Sequence, residues 1–407
     1  MFKDHPVLQI RDFRWLALNK FFFTIGLQMQ SVIVAWQVYQ MTRDPLALGL
    51  IGFFEAAAFI SSALWAGHVA DRSEKRRMIL GSESVLLCGV LALLSLTLAH
   101  NRQVWLLYGV IAFSGLARSF LWTSSVAFAE QVVPKTIYSR AAAWNSSAWE
   151  IGNIAGPAIG GLLYASLGPS VAYAGVFAAL ATGFVFAFLL NPRPPALSTE
   201  KGSASADFLS GVRFVFSHQI ILAALSLDMF AVLFGGAVAL LPIFAERMQV
   251  GPTGLGLLRA APSLGAILMA TYQTRHPPFR QMGKTLFICV ALFGLSMIAF
   301  GLSTHFWLSM ALLSFSGLVD NVSVVARASI LQASTPDPMR GRVSAVNGIF
   351  IGSSNEIGAF ESGVAAKLIG TVPSVVFGGC MTLLTVAIVA WKAPQLRRLR
   401  SLNAPPV

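Results

Sequence analysis

Two ionisable residues interrupt the apolar stretch SFSGLVDNVSVVARAS, residues 314–329: Asp320 and Arg327. Seven residues separate them, nearly two helical turns, so on a helix both side chains leave one face, roughly 10 Å apart along the axis. Lys20, Arg118, Glu150, Asp228 and Glu356 stand in comparable apolar runs. A carboxyl alternating between a dry setting and one beside a cation can take up and release a proton. Asp228, Asp320, Glu150 and Glu356 are therefore candidates for proton coupling, and Lys20, Arg118 and Arg327 for their charge partners. A second reading is structural: static ion pairs pin helices together, and Glu150 and Glu356 bond locally to hold their helices against neighbours. Glu55 stands near a span end, where a structural or gating role fits. The three cysteines, Cys88, Cys289 and Cys380, lack metal-ligand spacing, and no His/Asp or Ser/His constellation suggests a catalytic centre.

The elements that must position these residues are membrane helices. Of the 407 residues 56% are hydrophobic and only 11% charged, against roughly 25% charged in soluble domains. Apolar runs of about 20 residues, enough to cross roughly 30 Å of hydrocarbon, recur along the chain. Twelve spans are expected, near 13–40, 46–70, 78–99, 103–129, 139–165, 171–191, 216–245, 253–272, 285–302, 306–332, 343–369 and 373–391. The alternating strands of a β-barrel are absent. The net charge of +12 is distributed for a membrane and not for nucleic acid: with the N-terminus inside, 21 of the 29 Lys and Arg fall on the cytoplasmic side and four on the other. This positive-inside bias places both termini in the cytoplasm and turns the basic surplus toward anionic headgroups.

The chain repeats itself. PKTIYSRAAAWNSSAWEIGNIAGPAIGG, from Pro134, matches PDPMRGRVSAVNGIFIGSSNEIGAFESG, from Pro336, at an offset of 202, pairing Gly161 with Gly363. DPLALGLIGFF, from Asp44, matches GPTGLGLLRAA, from Gly251, at an offset of 207, pairing Gly49 with Gly256. The polar stretch NPRPPALSTEKGSASAD separates six spans from six. The expected organisation is a six-helix bundle over 1–191, a cytoplasmic linker over 192–215 with an amphipathic helix, and a second six-helix bundle over 216–407. Parallel repeats of this kind are built around a central site. The 202 offset brings Asp320 onto Arg118, and the 207 offset brings Asp228 next to Lys20. Charges inside a membrane cost several kcal/mol unless paired or wetted, so Asp320, Arg118, Arg327, Lys20 and Asp228 are expected to face a shared cavity.

GHVADRSEKRR, residues 67–77, resembles the signature loop of the major facilitator superfamily. Gly67, Asp71, Arg72, Lys75, Arg76 and Arg77 fit it, and Glu74 replaces its second glycine. The resemblance implies a cytoplasmic gate whose contacts break when that face opens. GNIAGPAIGG, residues 152–161, resembles the superfamily's antiporter motif through Gly152, Gly156, Pro157, Gly160 and Gly161. Glycines four apart make a ridge for close helix packing, and Pro157 permits a kink. Residues 331–363, ADRSEKRRMIL and the seventh-to-eighth-span stretch resemble the enterobactin (siderophore) exporter branch. The resemblance implies an all-α membrane protein of twelve transmembrane helices in two pseudo-symmetric bundles, with spans 1, 4, 7 and 10 lining the cavity. These spans carry Lys20, Arg118, Asp228 and Asp320.

The expected activity is proton-coupled efflux of a siderophore or another amphipathic small molecule, by rocker-switch alternating access, in the bacterial inner membrane. No cofactor or metal is expected; the proton gradient supplies the energy, and no Walker A pattern appears. The partners are substrate, protons and lipid, and the chain is expected to function as a monomer. An importer or facilitator on the same fold remains open. A lipid acyltransferase would need a clustered catalytic constellation, and a channel would not need the two-fold repeat.

Overall fold

A computed structural model of the chain describes residues 6–194, 204–276, 281–336 and 339–399. These are helical, with no strand among them. In chain order the helices are α1 (Arg11–Thr42), α2 (Pro45–Arg72), α3 (Lys75–Leu98), α4 (Val104–Val132) and α5 (Tyr138–Phe188). Then come α6 (Ala204–Ser217), α7 (Gln219–Gly235), α8 (Leu241–Arg247), α9 (Gly251–Arg275) and α10 (Met282–Leu302). The last four are α11 (Phe306–Ser334), α12 (Arg340–Ile369), α13 (Thr371–Lys392) and α14 (Pro394–Arg398).

Ten helical segments among the described residues are long and apolar enough to cross a membrane. Two features reconcile ten with the twelve expected. The 51-residue α5 holds two spans, because Gly168 breaks it at φ 82°; only glycine adopts that conformation without penalty. The 30-residue α12 is long enough to cross but carries more polar residues. Pro157 leaves no comparable break: Gly168 is the one non-helical position inside α5. The tips of the α1–α2 and α3–α4 connections place Arg43 and His100 in the left-handed region, reversing the chain within few residues.

The chain divides into two compact units. One comprises Met1–Arg43, Phe54–Lys201 and Gln249–Ala260; the other comprises Asp44–Phe53, Gly202–Met248 and Ala261–Val407. The two short inserted segments are the halves of the sequence repeat that begin at Asp44 and Gly251. Within the first unit, Gly256 packs against the Pro157 carbonyl and the Gly161 backbone. Within the second, Gly49 packs against the Gly363 backbone and the Phe360 carbonyl. The repeat partners of one contact thus form the other contact. A Cβ at Gly49 would lie 2.9 Å from the Gly363 Cα, so both crossings need a residue without one.

Packing in the first unit is dominated by α1 against α5. Gly152, Gly156 and Gly160 lie on Thr24, Ile25 and Met29, where an added Cβ would come within 2.7–2.9 Å of α1 atoms. Beyond the glycine ridge the two helices exchange polar contacts. Gln28 donates to Asn153 (2.6 Å), Tyr164 to Gln40 (2.7 Å) and Tyr173 to Gln37 (2.7 Å). In lipid, such small-residue approaches and interhelical hydrogen bonds replace the hydrophobic drive of soluble cores. In the second unit α11 uses the same device: Gly317 meets the Pro262 carbonyl and Ser314 meets Gly265, both on α9. At 100° per residue, this face is turned by about 120° from the one carrying Asp320, Ser323 and Arg327. Anchoring α11 on α9 therefore fixes where its ionisable residues point.

Candidate functional site

Those residues face α7 and α10. Asp228, Ala231 and Val232 of α7, Cys289, Val290 and Phe293 of α10, and Asp320 and Ser323 of α11 line a pocket with about 240 Å³ of empty space. Spacings of three and four residues put each helix's contribution on one face. Arg327 forms an ion pair with Asp228. Their side chains are only 5% and 9% exposed, so each charge depends on the other for compensation. The pair anchors one wall, and Asp320 brings a second carboxyl to the same pocket. The space free for a ligand inside it is about that of one water molecule. Its chemistry suits a proton or a water more than an organic cargo.

The offset arithmetic set Arg118 against Asp320. Arg118 forms an ion pair with Glu55 in its own unit, and Gly115 one turn earlier rests on the Glu55 carbonyl. Glu55 thus serves as the counter-charge of a membrane-embedded arginine. Lys20 is half-buried on α1. Glu150 is half-buried on α5, close to Asn153, which α1 holds through Gln28. The Glu356 carboxylate lies beside α2 near Gly52. Of the four coupling candidates, Asp228 and Asp320 share one site; Glu150 and Glu356 do not line it.

The α2–α3 loop makes a set of local contacts. Lys75 is buried and donates to the Ala70 carbonyl. Arg76 donates to the Phe188 carbonyl at the C-terminus of α5 (2.8 Å), with its guanidinium 5.3 Å from the Phe188 ring. A cation there satisfies a carbonyl left over at a helix end and complements the helix dipole. Glu74, which departs from the motif, pairs with Arg77 at 2.7 Å. Arg72 is exposed and Gly67 faces open space. The Asp71 side chain lies outside the described residues. Nearby, Asp12 binds Arg193 (3.1 Å) and Asn191 (2.8 Å), tying the start of α1 to the segment after α5.

At the opposite ends of the helices, Asp44 caps α2 by accepting from the Leu46 amide (3.0 Å) and pairs with Lys367 of α12 (2.9 Å). Burial alone would raise the Asp44 carboxyl. The Lys367 hydrogen bond and charge, together with the Leu46 amide, outweigh it and hold the carboxyl below its ordinary range.

One buried carboxyl was not among the expected site residues. Glu83 of α3 is fully buried; Asn19 of α1 donates to its Oε1 (2.7 Å), and Asn19 also donates to the Gly183 carbonyl of α5 (2.9 Å). A signal for it exists in the sequence. Ser82, Glu83 and Thr97 fall on the same stripe of α3 as Ile79, Leu86, Val90 and Leu93, all buried.

Helices paired through glycine ridges in two repeated units, with ionisable residues turned into a pocket, define a membrane transporter of the major facilitator type. The chain belongs to the transmembrane secretion effector family of that superfamily, which it matches over residues 5–406. Among curated relatives it is 25% identical over 404 residues to the enterobactin exporter EntS of Shigella boydii serotype 18, covering 98% of this chain and 95% of the relative. The EntS of Escherichia coli O139:H28 gives the same identity and coverage. Solved structures extend the fold to more distant proteins. A POT family transporter in complex with 5-aminolevulinic acid superposes with a TM-score of 0.75 at 13% identity, over 95% of this chain and 96% of that one. The nucleoside transporter NupG gives 0.70 at 10% identity, over 94% and 99%. The protein is a multi-pass membrane transporter for a small molecule and not an enzyme.

Proposed function

We propose that the chain exports an iron-free siderophore or a similar amphipathic small molecule across the bacterial inner membrane in exchange for protons, with both termini in the cytoplasm. The observation that carries this reading is the Asp228–Arg327 pair beside Asp320 at one pocket. A lone buried carboxylate in lipid would be costly, and a permanently closed ion pair would hold helices together without moving a proton. A shift of α7 against α11 can transfer the arginine from Asp228 toward Asp320, two turns earlier on the same face of α11. The carboxylate left without it then takes a proton, and releases it when the arginine returns. Alternating access supplies the two settings, and no cofactor is needed beyond the proton gradient. The cargo class is supported by relatives named as enterobactin exporters, and the direction by the antiporter-type glycine motif of α5.

The test uses proteoliposomes enclosing a pH-sensitive dye. Under an imposed proton gradient, iron-free catecholate siderophore or a panel of amphipathic cations is added, and proton flux is recorded with ligand movement. Ligand-dependent proton flux supports the reading. Ligand movement without proton flux makes the chain a facilitator and returns the carboxylates to structural roles.

A further inference from the structure

Two carboxyls buried within the helix bundles are compensated differently. Asp228 of α7 has a guanidinium in contact. Glu83 of α3 has only a neutral amide, from Asn19. Its other oxygen, Oε2, is enclosed with no hydrogen-bond partner among the described residues. The two sites occupy related places in the repeat. The helix after the α2 and α9 crossings begins at Lys75 in one unit and at Met282 in the other, the same offset of 207 that pairs Gly49 with Gly256. By that offset Glu83 corresponds to Val290, which lines the Asp228–Asp320 pocket.

The charges of the surrounding helices are engaged elsewhere or turned away. On α4, Arg118 pairs with Glu55, and Glu130 stands near the helix end. On α3 itself, Lys75, Arg76 and Arg77 are held at the N-terminal loop. The part of α5 around Gly183, residues 169–188, contains no charged residue. Lys20 of α1 follows Asn19 and so leaves the helix about 100° around from it. A carboxylate at Glu83 would be a buried charge with no counter-charge, which costs several kcal/mol. A carboxylic acid there keeps the Asn19 bond on Oε1 and carries its proton on Oε2.

We propose that Glu83 is a proton-binding site, separate from the Asp228–Asp320 pocket, and that it is occupied in the closed arrangement of α1, α3 and α5. The site binds one proton as carboxylate plus proton gives carboxylic acid. Release requires α1 to carry Asn19 away and admit water. This rests on the proton-coupled reading above only for the use made of the proton. Binding itself is independent of it.

Two measurements separate these. Infrared pH titration of the purified protein in lipid nanodiscs reads the carboxylic acid directly. The wild type should show a buried-acid carbonyl band that is lost in Glu83→Gln and shifted in Glu83→Asp. If Glu83→Gln fails to fold, Asn19→Ala should shift the same band by removing its donor. Identical bands in the wild type and these variants across the titration would overturn the proposal. Proteoliposome flux then reads coupling: Glu83→Gln should lose at least tenfold of the ligand-driven proton flux while still binding ligand. If the wild type shows no ligand-driven proton flux but has the Glu83 band, the site stands and the coupled reading falls. A wild type with coupled flux and no Glu83 band retains the coupled reading and loses the site.

Discussion

Asp228→Asn removes one charge with almost no change of shape and leaves the Arg327 guanidinium at 5% exposure without its counter-ion. Breaking a buried pair from one side costs about 3–5 kcal/mol, because the surviving charge is stranded. Arg327→Met strands the Asp228 carboxylate and should cost a similar amount. The double variant strands nothing, and methionine fills much of the space of the arginine stem. It should lie within about 2 kcal/mol of the wild type, since exchanging a buried ion pair for well-packed neutral groups is often close to neutral. The double-mutant cycle should therefore return a favourable interaction energy of about 4 kcal/mol or more, above the usual range of roughly 0.5–3 kcal/mol for coupled neighbours. The assay is reversible unfolding of the purified protein in lipid bicelles by steric trapping. Single variants that each cost under about 1 kcal/mol, with effects adding to within about 0.5 kcal/mol, would refute the reasoning. That result would mean that water or another group compensates both charges.

Three further outcomes are expected. Gly256→Val places side-chain atoms on the Pro157 carbonyl, and Gly49→Val does the same at Gly363. Each should cost about 1–3 kcal/mol by overpacking, read as a lowered thermal midpoint, and the two effects should be of similar size because the contacts are repeat equivalents. Exchanging the charges of the second pair, Arg118→Glu with Glu55→Arg, should restore part of the transport lost in either single variant. Lys367→Gln should lower the thermal midpoint slightly near neutral pH, by an amount that shrinks in high salt, Lys367 being 53% exposed. Because Asp44 is held below its ordinary value, the pair's contribution is present above that value and fades as pH falls through the folded-state one. The difference between wild type and variant should thus be equal at pH 7 and pH 5 and close only below about pH 4.

The glycine repeats were the most legible part of the chain, because close backbone approach admits one residue type. Gly49, Gly161, Gly256 and Gly363 could be paired by offset before any contact was visible. The ionisable residues were legible in depth but not in direction. Apolar residues surround a membrane helix on the lipid side as well as the core side, so hydrophobic periodicity says little about azimuth. That is why the offset sets Arg118 against Asp320 yet carries no sign of Glu55, on the neighbouring α2, which pairs with the arginine. Asp320 and Arg327 were placed on one face by spacing within a single helix, where geometry is fixed. Their meeting with Asp228 depends on how α11 is turned by its Gly317 contact with α9. Glu83 was overlooked because SES follows the charged loop closely and reads as its margin, and only the buried stripe through Ser82 and Thr97 marks it as interior.

The measurement that tests the account most directly is ligand-driven proton flux in proteoliposomes of wild type, Asp228→Asn and Asp320→Asn, with ligand binding recorded in parallel. The account predicts coupled flux in the wild type and at least a tenfold loss in both variants, with ligand still bound. Unchanged flux in both variants, or ligand transport with no proton movement in the wild type, would contradict it.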